Sequence, residues 1–223
     1  MSTANSKPVV AVFDFDGTLT WADSFVPFLR EAVGPMRFWA GLFWLSPVLA
    51  AHAVGLVQNA RTKEFFLAHF LGGRTPESLE PVSARFIAGR LAGLLNPEAL
   101  ERLRWHQREG HRVILLSASP ELYLNHWART VGIATMIGTR LELAADKISG
   151  RIAGENCHGT EKIARLRGEL GELNQFTLHA YGDSRADLPL LNLAEHAYYK
   201  PFQTVGKVGN ELRALAKFLQ ALW

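Results

Sequence analysis

The stretch Val9-Val10-Ala11-Val12-Phe13-Asp14-Phe15-Asp16-Gly17-Thr18-Leu19-Thr20 constrains this chain most, because an apolar run ends there abruptly in two carboxylates and a Gly-Thr turn. A continuous run of β-branched and aromatic residues reads as a strand buried on both faces, as in the middle of a parallel sheet. A carboxylate at the end of a buried strand is costly unless it is paired, and a metal ion is one such partner. In open α/β sheets ligands also bind at that end of the strands. Asp14 and Asp16 are therefore the first functional candidates.

The rest of the chain repeats the pattern. Asp23-Ser24 can cap a helix that carries Phe25, Phe28 and Leu29. Helical patterns follow over Thr62 to Leu71 and Pro76 to Leu94, separated by Gly72-Gly73, so residues 22–95 form an all-helical insert behind the first strand. A helix from Pro97 then leads into a second buried strand, Val113-Ile114-Leu115-Leu116, which ends at Ser117. Pro120 to Val131 reads as a helix and Thr139 to Ile152 as two short strands around Ala145-Asp146-Lys147. A helix over Thr160 to Leu170 precedes a third buried strand, Phe176 to Tyr181, which ends in Gly182-Asp183-Ser184-Arg185-Ala186-Asp187. Ala197-Tyr198-Tyr199 reads as a short last strand and Asn210 to Trp223 as a final helix. Strands alternating with helices imply an α/β fold: a Rossmann-like, doubly wound parallel sheet (residues 1–21 and 96–223) with an inserted all-helical cap domain (22–95). Parallel strands would bring Asp14, Asp16, Ser117, Asp183 and Asp187 to one edge of the sheet.

The segment Phe38 to Val57 contains no charged side chain apart from His52. About 20 apolar residues can cross a bilayer. One crossing, however, would separate Asp14 from every other candidate residue, and Pro47 divides the segment into two lengths typical of ordinary helices. The reading favoured is a buried helical hairpin within the cap. A hairpin that also touches a membrane interface comes second, and a true span last.

The sequence Asp14-Phe15-Asp16-Gly17-Thr18-Leu19-Thr20, then Ser117 after an apolar strand, then Lys162, then Gly182-Asp183-Ser184 with Asp187, resembles the haloacid dehalogenase superfamily of phosphohydrolases. The insert resembles the cap of its subclass IB. The resemblance implies a Mg2+-dependent phosphomonoesterase. In that family pattern Asp14 is the nucleophile that forms a phosphoaspartyl intermediate, and Asp16 is the general acid/base, its backbone carbonyl also binding the metal. Asp14, Asp16, Asp183 and Asp187 would make up the metal site. Ser117, Lys162, Gly17, Thr18 and the N–H of Ala118 would contact the phosphoryl group. Asp23 lies where phosphoserine phosphatases hold the substrate amino group.

Each residue also has an ordinary structural reading. Asp16-Gly17 is a common turn pair, Ser117 and Asp23 can cap helices, Lys162 can be a surface lysine, and Asp183 and Asp187 can be cap residues. Two departures weaken a phosphoserine assignment: Ala186 stands where those enzymes place Asn, and Phe38, Trp39, Phe43 and Trp44 suit a bulkier leaving group. Asp23-Ser24-Phe25 and Cys157-His158-Gly159-Thr160-Glu161-Lys162 are similar to the phosphatidylglycerophosphatase C type of the same subclass. The substrate expected is thus an unassigned phosphorylated small molecule, with a lipid or hydrophobic phosphate favoured over phosphoserine. The remaining alternative is a membrane- or protein-binding module with an inactive core.

Composition narrows the partners. With 24 Lys and Arg against 21 Asp and Glu, the net charge of +3 is mild and scattered, and no dense basic run suggests a nucleic-acid partner. Cys157 is the only cysteine, which excludes an intramolecular disulfide or a thiolate metal cage. The polar Met1 to Ser6 does not read as a signal peptide, so a cytoplasmic location is expected, with membrane association through the cap as the variant.

Overall fold

A computed structural model describes residues 7–202; the expected helix at Asn210 to Trp223 lies outside the described residues. Strand β1 (Val9–Phe13) is central in a five-stranded sheet of order β3-β2-β1-β6-β7, with β2 at Arg112–Pro120, β3 at Thr135–Thr139, β6 at Thr177–Gly182 and β7 at His196–Tyr199. All four pairings are parallel. Along β1, Val10 and Val12 enter one apolar cluster with Ile114, Leu116, Leu178 and Ala180. Ala11 and Phe13 enter the other. The period-2 alternation of a strand thus buries β1 on both faces, as its composition requires.

Strand β3 was not anticipated, since a short Thr-Met-Ile-Gly-Thr sequence carries little periodicity. It also lengthens β2: after a register irregularity Pro120 pairs with Thr139, so the strand runs past Ser117. Helices α5 (Pro97–Arg108), α6 (Glu121–Thr130), α7 (Thr160–Leu170) and the short α8 (Leu188–Leu191) lie among these strands in the chain. Asn96 caps α5 by accepting hydrogen bonds from the N–H groups of Glu98 and Ala99, with Pro97 in the first turn.

Between β1 and β2 the chain forms α1 (Phe25–Val33), α2 (Pro35–Ala53), α3 (Asn59–Leu71) and α4 (Pro76–Phe86). It leaves and returns side by side: Thr20 and Leu95 form an antiparallel bridge, and Trp21 N–H donates to the Leu94 carbonyl at 2.8 Å. Phe28 of α1 stacks on Tyr123 of α6 at 4.6 Å and meets Phe86 of α4 edge-on, so the insert and the sheet domain share one apolar cluster.

The expected hairpin over Phe38 to Val57 is not formed. α2 is a single helix of 19 residues that runs straight through Pro47. Proline removes the N–H that would bond to Phe43, but the Ser46 hydroxyl donates to that carbonyl at 2.7 Å, so the acceptor stays satisfied. Nor is the helix buried: only Phe38, Gly41 and Leu45 are, while Met36, Trp39, Phe43 and Trp44 are exposed. A Cβ on Gly41 would lie 2.5 Å from the Phe70 ring, so glycine is what allows α2 to approach α3 here.

The two strands expected between Thr139 and Ile152 are β4 (Leu141–Ala144) and β5 (Lys147–Ile152), an antiparallel pair separate from the main sheet. β5 abuts α3: the Gly73 N–H donates to the Ile148 carbonyl and the Ile148 N–H to the Arg74 carbonyl, both at 2.9 Å. Gly150, at φ 91°, allows the close approach, since a Cβ there would fall 2.4 Å from the Cα of Ala68.

On the Phe13 side of the sheet, histidines from α5, the turn after it, β6 and β7 meet. His106 contacts His111 at 2.8 Å (Nδ1 to Nδ1) and the Tyr181 hydroxyl at 2.9 Å, and His179 stacks on His196 at 4.2 Å. Burial, then the neighbouring histidines and Arg102, pull His106 down to about 3; burial, then His196 and His111, pull His179 to about 4. A histidine held neutral in the fold stabilises it above its unfolded pKa near 6.5, and that contribution is lost as pH falls below that value toward 4 and 3. Urea unfolding at pH 7 and pH 5 is expected to show a larger loss of stability for the wild type than for His106→Gln. Equal losses would refute this account of the cluster.

Candidate active site

The parallel arrangement places the ends of β1 and β6 and the Ser117 segment of β2 side by side, because β1 pairs with β2 on one side and β6 on the other. The Asp14 N–H donates to the Tyr181 carbonyl at 3.0 Å, which extends the ladder one residue beyond β1. Asp14, Ser117, Asp183 and Lys162 thereby line one cavity of about 80 Å³, together with Asp16, Asp23, Ala118 and residues the sequence did not single out.

Lys162 is buried, not a surface lysine. Its ammonium donates to Asp14 Oδ1 and to Asp187 Oδ1, each at 2.6 Å. Burial works against the charged ammonium, but the two carboxylates outweigh it and hold Lys162 protonated far above the ordinary lysine range. Burial raises Asp14 well above the usual carboxylate value; Lys162 opposes this, while Asp187 and Asp183 add to it. Burial, then Asp187, push Asp183 up to about 7. Asp187 is lowered, because Lys162 and the Ser184 hydrogen bonds outweigh its own burial.

Asp14, Asp183 and Asp187 each place a carboxylate oxygen within 4.8 Å of the others. This all-oxygen, buried donor set fits a hard divalent cation. The charge balance points the same way: four carboxylates line the cavity against the ammoniums of Lys63 and Lys162, so an anionic group needs further positive charge to enter. Asp187 is already engaged by Lys162 on one oxygen, and its other oxygen accepts from the Ser184 hydroxyl at 2.6 Å and the Ser184 N–H at 3.0 Å. Its cap role is thus observed, and it is better suited to bracing this group than to standing alone as a ligand. The Asp16 side chain is not in the group.

The Asp16 carboxylate instead bridges the insert and β2, accepting from the Ser24 N–H at 2.7 Å and the Ser119 hydroxyl at 2.5 Å. Burial raises its pKa above the ordinary value, against both hydrogen bonds. A carboxyl that readily holds a proton, fixed by two donors at the cavity wall, is equipped for acid/base work. Asp23 caps α1 by accepting from the Val26 N–H at 2.9 Å, and it also lines the cavity. Burial, then Asp16, push it up to about 7. Ser117 accepts from the Ser119 N–H at 3.1 Å and is buried at the cavity wall.

Gly17 and Thr18 lie just behind the residues that line the cavity. Gly17, at φ 84°, turns the chain so that its Cα packs under Asp183, where a Cβ would come within 2.2 Å of Asp183 Oδ2. Glycine at this position shapes the carboxylate group. Thr18 is buried, and its hydroxyl has no hydrogen-bond partner among the described residues.

Sequence reasoning missed Lys63, Ser119, His158 and Ser184, all of which line the cavity. Lys63 comes from α3, and its ammonium donates to the Ala118 carbonyl at 2.8 Å and to Asn156 Oδ1 at 2.9 Å. Burial pulls it down to about 8. A signal existed: Lys63 sits within the buried helical stripe of Thr62, Phe66, Leu67 and Phe70, where a lysine is out of place unless paired. Ser119 could have been noticed two residues after Ser117, in a strand with the same facing.

A sequence model of haloacid dehalogenase-like hydrolases matches residues 11–192. Protein CicA of Caulobacter vibrioides is 35% identical over 198 residues, 88% of this chain and 88% of its own length. Among solved structures, a protein of unknown function from Bordetella pertussis superposes with a TM-score of 0.76 at 22% identity, covering 96% of this chain and 97% of its own. A phosphoserine phosphatase solved as a phospho-aspartyl intermediate analogue superposes at 0.55 with 17% identity, covering 85% and 84%. These structural likenesses concern the fold.

Proposed function

We propose, for a chain that belongs to the haloacid dehalogenase-like hydrolase family, that it is a Mg2+-dependent phosphomonoesterase working through a phosphoaspartyl intermediate on Asp14. The observation that carries the reading is the buried Asp14–Lys162–Asp187 chain beside Asp183, with Asp16 held apart from it by Ser24 and Ser119. Two carboxylates at the end of one strand thereby meet different surroundings and suit different tasks.

In this mechanism Lys162 holds Asp14 in place and offsets charge on the incoming phosphoryl group. Asp14 attacks phosphorus; Asp16, protonated, gives its proton to the leaving oxygen. Asp16 then takes a proton from the water that attacks the acyl phosphate, releasing phosphate and restoring Asp14. Ser117 and the N–H of Ala118 position the phosphoryl oxygens. Asp14, Asp183 and the Asp16 carbonyl would hold Mg2+, braced by Asp187, and the ion when bound supplies the charge that lets carboxylate approach phosphate.

For the substrate we favour a small, polar phosphate ester. None of Phe38, Trp39, Phe43 and Trp44 lines the cavity, which removes their support for a lipidic leaving group. Asp23 and Lys63 put opposite charges at the wall where the leaving group would lie, which suits a zwitterion such as phosphoserine. The cavity of about 80 Å³ is walled on one side by Asp23, Phe25 and Lys63 of the insert, so residues 22–95 would act as a cap over the substrate. A screen of phosphoserine, sugar phosphates and lysophosphatidate with Mg2+ tests this. Phosphate release from a small ester, abolished by EDTA and restored by Mg2+, is expected; release only from the lipid would overturn the substrate class, and undiminished release in EDTA the metal.

A further inference from the structure

Apart from Arg37, Ser46 and His52 every residue of α2 is apolar, yet among the described residues only Phe38, Gly41 and Leu45 of it are buried. Such helices are normally buried in protein or membrane. Met36, Ala40, Phe43, Pro47, Ala50 and Val54 recur at steps of three and four residues and are all exposed, with Met36 at 86%, Phe43 at 79% and Val54 at 71%. Trp44, at 76%, borders this stripe, and Leu56, at 80%, extends it past the helix end. No Asp or Glu occurs between Glu31 and Glu64. Beside the stripe, a groove of about 580 Å³ between α1, α2 and α3 is lined by Arg37, Trp44, His69 and Arg74 and contains no acidic residue.

We propose that this face of α2 docks the protein on an anionic phospholipid bilayer, the helix lying in the interface with the arginine-lined groove against headgroup phosphates. Charge selects this occupant. A second copy would set the same acid-free, arginine-bearing surface against itself, whereas anionic headgroups complement it. The aromatic residues fit as well, since tryptophan rings with an apolar body and an N–H favour the headgroup level. Lying on the surface also agrees with the helices: no helix among the described residues is long and apolar enough to cross a membrane.

Co-sedimentation of the full chain with phosphatidylcholine vesicles, with and without phosphatidylglycerol, tests the proposal without reference to turnover, so its failure is distinct from failure of the hydrolytic reading. The wild type is expected to bind the anionic vesicles and to lose binding as salt rises. Phe43→Asp/Trp44→Asp, with both positions exposed, is expected to weaken binding about tenfold or more with an unchanged melting profile; Arg37→Glu is a second, milder variant that weakens it less. Failure of the wild type to bind anionic vesicles would overturn the proposal, as it would if the face were covered by residues 203–223 or by another copy. So would unchanged binding in the double variant, or a wild-type dimer that the double variant converts to monomer.

Discussion

Asp14→Asn is expected to lower phosphate release more than about a thousandfold while leaving the fold intact. The amide occupies the same space, so the apolar packing around β1 is untouched, but it cannot attack phosphorus as an anion. Stability should hold, because the charge removed is one that burial and the neighbouring Asp183 and Asp187 already disfavour. Lys162 keeps Asp187 as a partner at 2.6 Å. Steady-state phosphate release alongside circular dichroism checks both halves. Near-normal turnover in a folded Asp14→Asn protein would mean that another group is the nucleophile.

Lys162→Met carries the second large effect, on stability as well as activity. Among the described residues the ammonium is the one hydrogen-bond donor to Asp14 Oδ1 and Asp187 Oδ1, in a region where both side chains are at most 9% exposed. Without it three carboxylates remain clustered and buried, and breaking a buried pair of this kind costs about 3–5 kcal/mol. The deficit should depend on pH in a defined direction. Loss of the ammonium raises the folded-state pKa of Asp14 further above its unfolded value and removes the main cause holding Asp187 below its own, and carboxylates raised in this way destabilise the fold where they are forced to ionise. The gap to the wild type is therefore expected to narrow as pH falls from 7 toward 5, and added Mg2+ should narrow it at pH 7. Urea unfolding measures it; a deficit below about 1 kcal/mol, the size typical of an exposed ion pair, would contradict the burial argument.

How far the sequence alone could lead depended on whether a residue's partner was local. The apolar run before Asp14 implied burial on both faces, and Val10 and Val12 do face away from Ala11 and Phe13. The edge shared by Asp14, Ser117 and Asp183 followed from strand parallelism, which alternation of strands and helices implies. α2 was misread because Pro47 suggested a break, and whether the freed carbonyl of Phe43 finds Ser46 is a matter of side-chain geometry. Its apolar composition suggested burial, and composition does not reveal which faces lack neighbours. Lys63 was visible as an anomaly within an apolar stripe, but its acceptors at Ala118 and Asn156 lie 55 and 93 residues away. Gly17 and Thr18 were placed near phosphate by resemblance, and the turn at φ 84° that directs Gly17 beneath Asp183 depends on a long-range approach no local pattern shows.

The account stands or falls on the bond proposed to form at Asp14. Rapid acid quench during turnover with Mg2+ and a small phosphate ester, followed by borohydride reduction and peptide mass analysis, reads it directly, since reduction converts an aspartyl phosphate to homoserine. Homoserine at position 14, and none in protein quenched without substrate, is the predicted result. Phosphate release under way with Asp14 unmodified, or with the phosphoryl group on Ser117, would contradict it.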